Sequence, residues 1–395
     1  MNLMRARLGR SWVAAAAIAL ATTLTAGTAS AQNVVIQSPF AVETFATLPP
    51  EADFPEGITA NPANGDIFVG TFDVKPDGSG SNFILRYDRR GRLRAQLPIG
   101  LVPVTGLAFN PNDGKVYFAR PGSLFGLAAL VQRIPQDFDA STPIEDVVTI
   151  DNIGPPPMRT EITLDGQPVV SAFPDSIQAP NGLAFADMNG TSVLLVTDSL
   201  QGALFFFANP ESAGSTCSSG GTCPELIQLT QVTEFATAGF PLLGINGVAV
   251  LPGQDGDSLP RVFVTNTGDD RLLTVGGADF SVATPLAESL QGADGIVPGP
   301  GNTLIVSRAL ADSIAIVDAD SGRLLAELGA FRGIRRDGSP RGLLFPGSIV
   351  RVGNNLFASN LALPQTGTAA EPELDVTTYT ISRIRLPRVL PRFDR

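Results

Sequence analysis

The stretch FPEGITANPANGDIFVG, residues 54–70, contains two apolar runs separated by a turn, and its frame recurs along the chain. Gly57 opens the first run, a turn rich in Asn, Pro, Gly and Asp follows, and a second apolar run closes the segment. This pattern is typical of a β-hairpin. Related segments begin at Val104, Pro180, Ile245, Ala293 and Pro346. The sequence therefore predicts six copies of one hairpin.

The glycines that open these segments are spaced at intervals of 49, 76, 65, 48 and 52 residues: Gly57, Gly106, Gly182, Gly247, Gly295 and Gly347. Repeats of about 40–50 residues with several short strands are typical of β-propellers. More apolar runs follow each hairpin, such as FILRYD and SIAIVDAD, and helical periodicity is weak. We predict an all-β, six-bladed β-propeller with a central channel.

Closure of the ring should involve both ends of the chain, because it removes exposed sheet edges. We expect NVVIQ or AVETFA to pair near TTYTISRIRL in the last blade. The two longest intervals indicate insertions on one face. The proline-rich insertion, residues 153–180, either overhangs a site or decorates the surface.

The first 31 residues read as a secretory signal peptide. Three arginines precede the apolar run SWVAAAAIALATTLTAG, and TASA ends in a small-x-small cleavage pattern before Gln32. The alternative, a membrane anchor, is disfavoured because the run is short for a spanning helix. We therefore expect a leader at 1–31, a single propeller domain at 32–395, and a periplasmic or secreted protein that does not contact the membrane after cleavage.

Composition excludes several classes of site. The chain has no histidine, which rules out a Ser-His-Asp triad, a histidine general base and histidine-ligated zinc. Loss of the leader removes three basic residues and no acid, so 24 basic and 38 acidic residues remain, with a net charge of −14. Such a surface repels nucleic acid, and we expect no nucleic-acid partner.

The chain has only two cysteines, Cys217 and Cys223. Because paired thiols in an exported protein usually oxidise, we predict a disulfide between them that pins a surface loop. A catalytic thiol is disfavoured, since no histidine is present to form the thiolate.

The residue before each recurring glycine should occupy the same point of the innermost strand and so face the channel: Glu56, Thr105, Asn181, Asn246, Asp294 and Pro346. Four of the six carry a carboxylate or carbonyl oxygen, the donor that hard cations prefer. The alternative is that these are ordinary turn pairs, because Asn-Gly and Asp-Gly tolerate positive φ. The residues alone leave both interpretations open.

The segments FPEGI, PNGLAF, LLVTDS, INGVAV and ADGI resemble the senescence-marker-protein/gluconolactonase family of six-bladed propellers, whose wider relatives are diisopropylfluorophosphatase and paraoxonase. In that family one Glu, two Asn and one Asp, in this order, hold a catalytic divalent metal in the channel. The resemblance implies that Glu56, Asn181, Asn246 and Asp294 are metal ligands, with Ca²⁺ expected and Mg²⁺, Mn²⁺ or Zn²⁺ as alternatives.

Two departures qualify the resemblance. The family glutamate is usually followed by Gly-Pro, but here Gly57 and Ile58 follow Glu56. Paraoxonases use histidines, and this chain has none.

The resemblance favours a metal-dependent hydrolase of a lactone or related ester that acts as a monomer on a small-molecule substrate. Asp294 is then the general base or nucleophile, while Glu56 is mainly a ligand. Asp198, Thr105 and Arg120 are candidates for supporting or pocket residues, and Phe54 and Phe345 for an apolar wall.

The main alternative is a non-catalytic propeller, similar to NHL-repeat proteins, that binds a protein or glycan partner. A strictosidine-synthase-like scaffold without metal is disfavoured, because all four oxygen ligands are retained.

Overall fold

Antiparallel sheets of short strands make up the protein in this computed structural model. The structure describes residues 35–36, 42–75, 80–154, 159–162, 168–171, 177–213, 227–231, 243–254, 259–277, 280–365, 367–368 and 370–386. These residues belong to one compact unit, Val34–Arg395. The predicted leader, Cys217 and Cys223 lie outside the described residues. Within the described ranges, no helix has the length and apolar character needed to cross a membrane.

The chain begins with β1 (Val35–Ile36) and β2 (Val42–Thr47), which join blades formed near the other end. Blade 1 contains β3 (Pro55–Ala60), β4 (Ile67–Thr71), β5 (Asn82–Tyr87) and β6 (Leu93–Gly100). Blade 2 contains β7 (Leu107–Asn110), β8 (Lys115–Arg120), β9 (Leu130–Pro135) and β10 (Glu145–Thr149). A separate hairpin, β11 (Arg159–Ile162) and β12 (Pro168–Ser171), follows within the proline-rich insertion.

Blade 3 contains β13 (Pro180–Met188), β14 (Thr191–Asp198), β15 (Ala203–Ala208) and β16 (Ile227–Gln231). Blade 4 contains β17 (Ile245–Leu251), β18 (Arg261–Asn266), β19 (Arg271–Gly276) and β20 (Val282–Ala287). Blade 5 contains β21 (Ala293–Pro298), β22 (Thr303–Arg308), β23 (Ser313–Asp318) and β24 (Leu324–Leu328). A second hairpin, β25 (Phe331–Ile334) and β26 (Pro340–Gly342), precedes blade 6, which contains β27 (Pro346–Val352), β28 (Asn355–Asn360) and β29 (Thr380–Arg385). Short 3₁₀ helices cover Gly122–Phe125, Pro210–Ser212, Ala309–Ala311 and Pro372–Asp375.

Both chain ends take part in closing the ring. β2 pairs antiparallel with β29 and supplies the fourth strand of blade 6, as predicted for AVETFA. β1, from the NVVIQ segment, instead pairs parallel with β24 and becomes a fifth strand of blade 5. The six-bladed propeller predicted from the repeat is therefore confirmed.

The apolar core is divided among the gaps between blades. Each of six buried clusters of described residues draws its side chains from two neighbouring blades. Strand β22 shows why its run is continuously apolar: Leu304 and Val306 pack toward blade 4, and Ile305 packs toward blade 6. Because successive side chains point to opposite faces of a strand, burial of a blade on both faces favours apolar residues at consecutive positions.

A β-bulge near the start of the first strand sets the position of the ring residues. In β3 the register shifts between Pro55 and Ile58, so Glu56 and Gly57 form the bulge. The same shift occurs in the first strands of blades 3 to 6. In β27, Pro346 pairs with Asn360, as Pro55 pairs with Thr71. The prediction that Pro346 is the sixth ring residue is therefore wrong, because Gly347 occupies that position.

Five of the six recurring glycines are explained by close approach of neighbouring blades rather than by turns. None of the six has a positive φ. A Cβ on Gly247 would lie 2.5 Å from the carbonyl oxygen of Asp294 in the next blade. On Gly182 it would overlap the carbonyl oxygen of Asn246. The turn-pair alternative is thus wrong for these glycines. At Gly57, Gly106, Gly182, Gly247 and Gly295 a Cβ would lie closer than 3.0 Å to an atom of the next blade, whereas at Gly347 it would make only ordinary contacts of 3.5 Å or more.

Candidate functional site

The starts of the first strands surround a cavity of about 230 Å³. Five of the six predicted ring residues line it, one from each of blades 1 to 5: Glu56, Thr105, Asn181, Asn246 and Asp294. All five are buried. The structure therefore brings together, around one cavity, four side chains with carboxylate or amide oxygens that lie up to 238 residues apart in sequence.

Hydroxyl groups fix the orientation of both asparagine side chains. Ser199 Oγ donates to the carbonyl oxygen of Ile245 (2.9 Å) and accepts from Asn181 Nδ2 (3.2 Å). Thr267 Oγ1 donates to the carbonyl oxygen of Ala293 (2.7 Å) and accepts from Asn246 Nδ2 (3.0 Å). Because each hydroxyl donates its one proton to a backbone carbonyl, it can only accept in its bond with the amide nitrogen. The amide oxygen is thereby left on the side away from the hydroxyl.

A second set of hydroxyls ties the ring backbone of one blade to the next. Thr265 Oγ1 donates to the carbonyl oxygen of Asp294 (2.6 Å), and Ser359 Oγ donates to that of Glu56 (2.7 Å). Thr197 and Ser307 make the same bond to the carbonyl oxygens of Asn246 and Gly347. These bonds hold the ring positions at four of the six blade junctions, and the bond to Gly347 supports its assignment as the sixth ring residue.

The carboxylates of Glu56 and Asp294 lie in a buried environment that disfavours negative charge. Glu56 Oε2 and Asp294 Oδ1 are buried and have no hydrogen-bond partner among the described residues. Burial, together with the nearby Asp294 carboxylate, raises the pKa of Glu56 well above its usual range. Burial also raises the pKa of Asp294 to about 7, although a side-chain hydrogen bond with Asn246 opposes the shift.

An apolar wall stands above this polar ring. We use this name for the eight large apolar residues that line the rest of the cavity: Phe72, Pro121, Leu124, Leu200, Leu243, Phe345, Leu361 and Leu363. Phe345 thus lies where an apolar wall was predicted. Phe54 is not part of the wall, because it packs against Tyr379, with ring centroids 4.8 Å apart.

The three predicted supporting residues have different positions. Thr105 lines the cavity, and its hydroxyl donates to the carbonyl oxygen of Pro180 (2.5 Å). Arg120 does not line the cavity, because its guanidinium binds the carbonyl oxygen of Ile99 (3.1 Å) and the side chain of Gln132 (3.0 Å). Burial lowers the pKa of Arg120 to about 10.

Asp198 is buried and also stands outside the cavity lining. Its carboxylate accepts from the backbone N–H groups of Ala179, Leu200 and Gln201 and from the Gln201 side chain, at 2.9–3.1 Å. Burial raises the pKa of Asp198 to about 6 against these donors. Since Ala179 and Leu200 line the cavity, Asp198 positions two lining residues through their backbone.

Sequence reasoning missed the hydroxyls that orient the asparagines, although a signal was present. The second strands of blades 3 and 4 end in VTD and VTN, and the residues that follow directly, Ser199 and Thr267, bond to the amides. The apolar wall could not be found in this way, because loops of different length and sequence supply it. Among the described residues, no group of three or more His, Cys, Asp or Glu forms a metal-ligating cluster. A cation at this cavity would therefore need the amide oxygens.

Comparisons with known proteins bear on the fold. No known family matches the chain in sequence, and no curated protein matches it. Among solved structures, a luciferin-regenerating enzyme is similar, with 12% identity and a TM-score of 0.53 over 89% of this chain and 97% of that one. A streptogramin B lyase has 11% identity and a TM-score of 0.48 over 88% and 97%. Virginiamycin B lyase from Staphylococcus aureus has 14% identity and a TM-score of 0.43 over 88% and 99%. The first of these likenesses supports the propeller fold.

Proposed function

We propose that the protein is an exported, divalent-cation-dependent hydrolase of a lactone or related ester. The cation, for which Ca²⁺ is the first candidate, is held by Glu56, Asn181, Asn246 and Asp294. The observation that carries the proposal is the pair of buried carboxylates, each with an oxygen that has no hydrogen-bond partner among the described residues. When both groups are ionised, such a pair is costly unless a positive charge compensates it.

The donor set suits a hard cation. Two carboxylates balance a divalent charge, and two amide oxygens add ligands without adding charge. Ser199 and Thr267 support this role, because each accepts a hydrogen bond from the amide nitrogen of its asparagine, Asn181 or Asn246. Such supporting hydrogen bonds are typical of metal sites.

When bound, the cation supplies Lewis acidity toward the substrate carbonyl and neutralises the carboxylates. The chain's own residues then bind and orient the ester against the apolar wall and carry the proton. Asp294 is our choice of base: its carboxylate accepts a proton from a water molecule as the water oxygen bonds to the carbonyl carbon. The ring C–O bond breaks, and the proton passes to the leaving oxygen, which yields the hydroxy acid.

Hydrolysis of a lactone and ester panel, measured with calcium and again with a chelator, tests this proposal. We expect chelation to abolish activity. Asp294→Asn and Asn246→Ala should each lower kcat/KM at least about 100-fold, the scale of a lost catalytic group. Glu43→Gln serves as a control, because Glu43 is an exposed carboxylate on β2 that pairs with Arg383. Full activity in both site variants would refute the proposal and favour a non-catalytic binding propeller.

A further inference from the structure

The chemistry of the cavity lining is uneven. The ring supplies its polar floor, while the apolar wall supplies most of the remaining surface. The other polar side chains that line it are Ser199, Thr267 and Gln365. The two hydroxyls hold Asn181 and Asn246, and Gln365 Nε2 donates to the carbonyl oxygen of Leu363 (2.8 Å). Except near Gln365, a ligand hydroxyl placed against the wall would therefore lose its hydrogen bonds to water without gaining a side-chain partner, which is unfavourable.

The charged residues that line the cavity are all acidic. None of the described residues that line it is Lys, Arg or His, and two of them are acids. An anionic ligand group would lie near Glu56 and Asp294 with no basic side chain to pair with, so binding of acids and phosphates is disfavoured.

The apolar lining continues to the outside at Leu124. This residue lines the cavity and is nevertheless 45% exposed. A chain that is longer than the cavity can therefore leave it along an apolar path. Each methylene buried in this way contributes roughly a fourfold gain in affinity.

We propose that the cavity selects lactones or esters that carry an unsubstituted alkyl chain, and that it discriminates against polyhydroxylated and anionic substrates. The lactone or ester group of the substrate rests on the proposed function, whereas the preference for an apolar chain follows from the apolar wall alone. The wall accepts the chain while the carbonyl faces the polar ring.

Two unreactive lactams with the same six-membered ring provide the test. One carries a heptyl chain (6-heptylpiperidin-2-one), and the other carries hydroxyl groups (gluconolactam). Calorimetric titration of the wild-type protein, with and without calcium, should show the alkyl lactam binding at least about tenfold more tightly, since several methylenes are buried. Preference for the hydroxylated lactam, equal affinity for both, or binding of neither would overturn the inference.

Matched variants in one loop locate the preference. Leu124→Gln should weaken binding of the alkyl lactam about three- to tenfold by removing apolar contact. Leu127→Gln should have no effect, because Leu127 is 60% exposed in the same loop but does not line the cavity. Equal effects of the two substitutions would contradict the assignment of the wall. Circular dichroism of both variants checks that the fold is retained.

Hydrolysis separates this inference from the proposed function. Tight binding of the alkyl lactam without hydrolysis of any lactone in calcium would leave the cavity's preference standing and refute the hydrolase. Faster turnover of gluconolactone than of alkyl lactones would support the hydrolase and overturn the preference.

Discussion

Two hydroxyl groups, those of Ser199 and Thr267, decide how the ring asparagines present their amides. Each hydroxyl comes directly after the second strand of its blade and bonds to a backbone carbonyl of the following blade as well as to the asparagine. The position of the amide is therefore coupled to the packing of two blades. This coupling distinguishes a prearranged set of oxygens from polar residues that only happen to be close.

Replacing Thr267 by valine tests that arrangement at the level of one atom. The variant keeps the shape of the side chain but removes the hydroxyl that bonds to Asn246 Nδ2 and to the Ala293 carbonyl. We expect about 1–3 kcal/mol of lost stability and about tenfold weaker calcium binding. Urea unfolding and calcium titration measure the two effects. Thr274→Val, on the neighbouring strand of the same blade, is the control; an equal loss of calcium affinity there would contradict the assigned role.

Asp312 gives the molecule a pH-dependent stability. It has a positive φ of 49°, and its Oδ1 accepts from the backbone N–H of Phe345 (2.7 Å). Burial raises the pKa of Asp312 from 3.8 to about 6, and the nearby Glu373 carboxylate adds to the shift. The native state then binds more protons than the unfolded state between these values. The associated stability is complete below about pH 4 and is lost as the pH rises through about 6.

Asp312→Asn should remove this dependence. Asparagine keeps the acceptor oxygen and tolerates positive φ, so the contact with Phe345 is retained. We expect the variant to exceed the wild type in free energy of unfolding by about 1–3 kcal/mol at pH 8 and to match it at pH 4. Denaturant unfolding at both pH values checks this. Asp337→Asn, at an exposed carboxylate, should not reproduce the difference, and a gain independent of pH would disprove the explanation.

At the scale of the element, the first strands of blades 1, 3, 4 and 5 combine a bulge with a glycine. The bulge presents the ring side chain, and the glycine lets the next strand approach. The sixth blade shows the same geometry with other residues, because Gly347 and Ser348 occupy the two bulge positions of β27. Blade 6 therefore has the same backbone geometry as those four blades, but its ring residue, Gly347, has no side chain.

Gly247→Ala tests the requirement for close approach. The added Cβ would lie 2.5 Å from the carbonyl oxygen of Asp294 and 3.0 Å from Ile296. We expect a loss of about 2–4 kcal/mol in the free energy of unfolding, since backbone atoms must shift. Gly276→Ala in β19 is matched, because no atom lies within 4 Å of its Cβ position. It should change stability by less than about 0.5 kcal/mol. Similar costs for both substitutions would contradict this explanation of the glycines.

At the scale of the whole molecule, the sequence was sufficient to predict those features that repeat from blade to blade. The six hairpins predict six blades, and the register of Glu56, Asn181, Asn246 and Asp294 predicts that they meet at one cavity. The assignment of Pro346 as the sixth ring residue was wrong, because the sequence alone does not show which residues form the bulge. Most of the wall could not be predicted for a different reason: Leu124, Leu243 and Leu363 come from non-repeating segments between the strands, whose path depends on tertiary packing.

A calcium-soaked crystal tests the central claim most directly: four residues from four blades hold one cation. We predict one anomalous difference peak in the cavity, about 2.3–2.6 Å from an oxygen of each of Glu56, Asn181, Asn246 and Asp294. Absence of a peak at saturating calcium, or a peak that contacts fewer than three of these residues, would contradict the account.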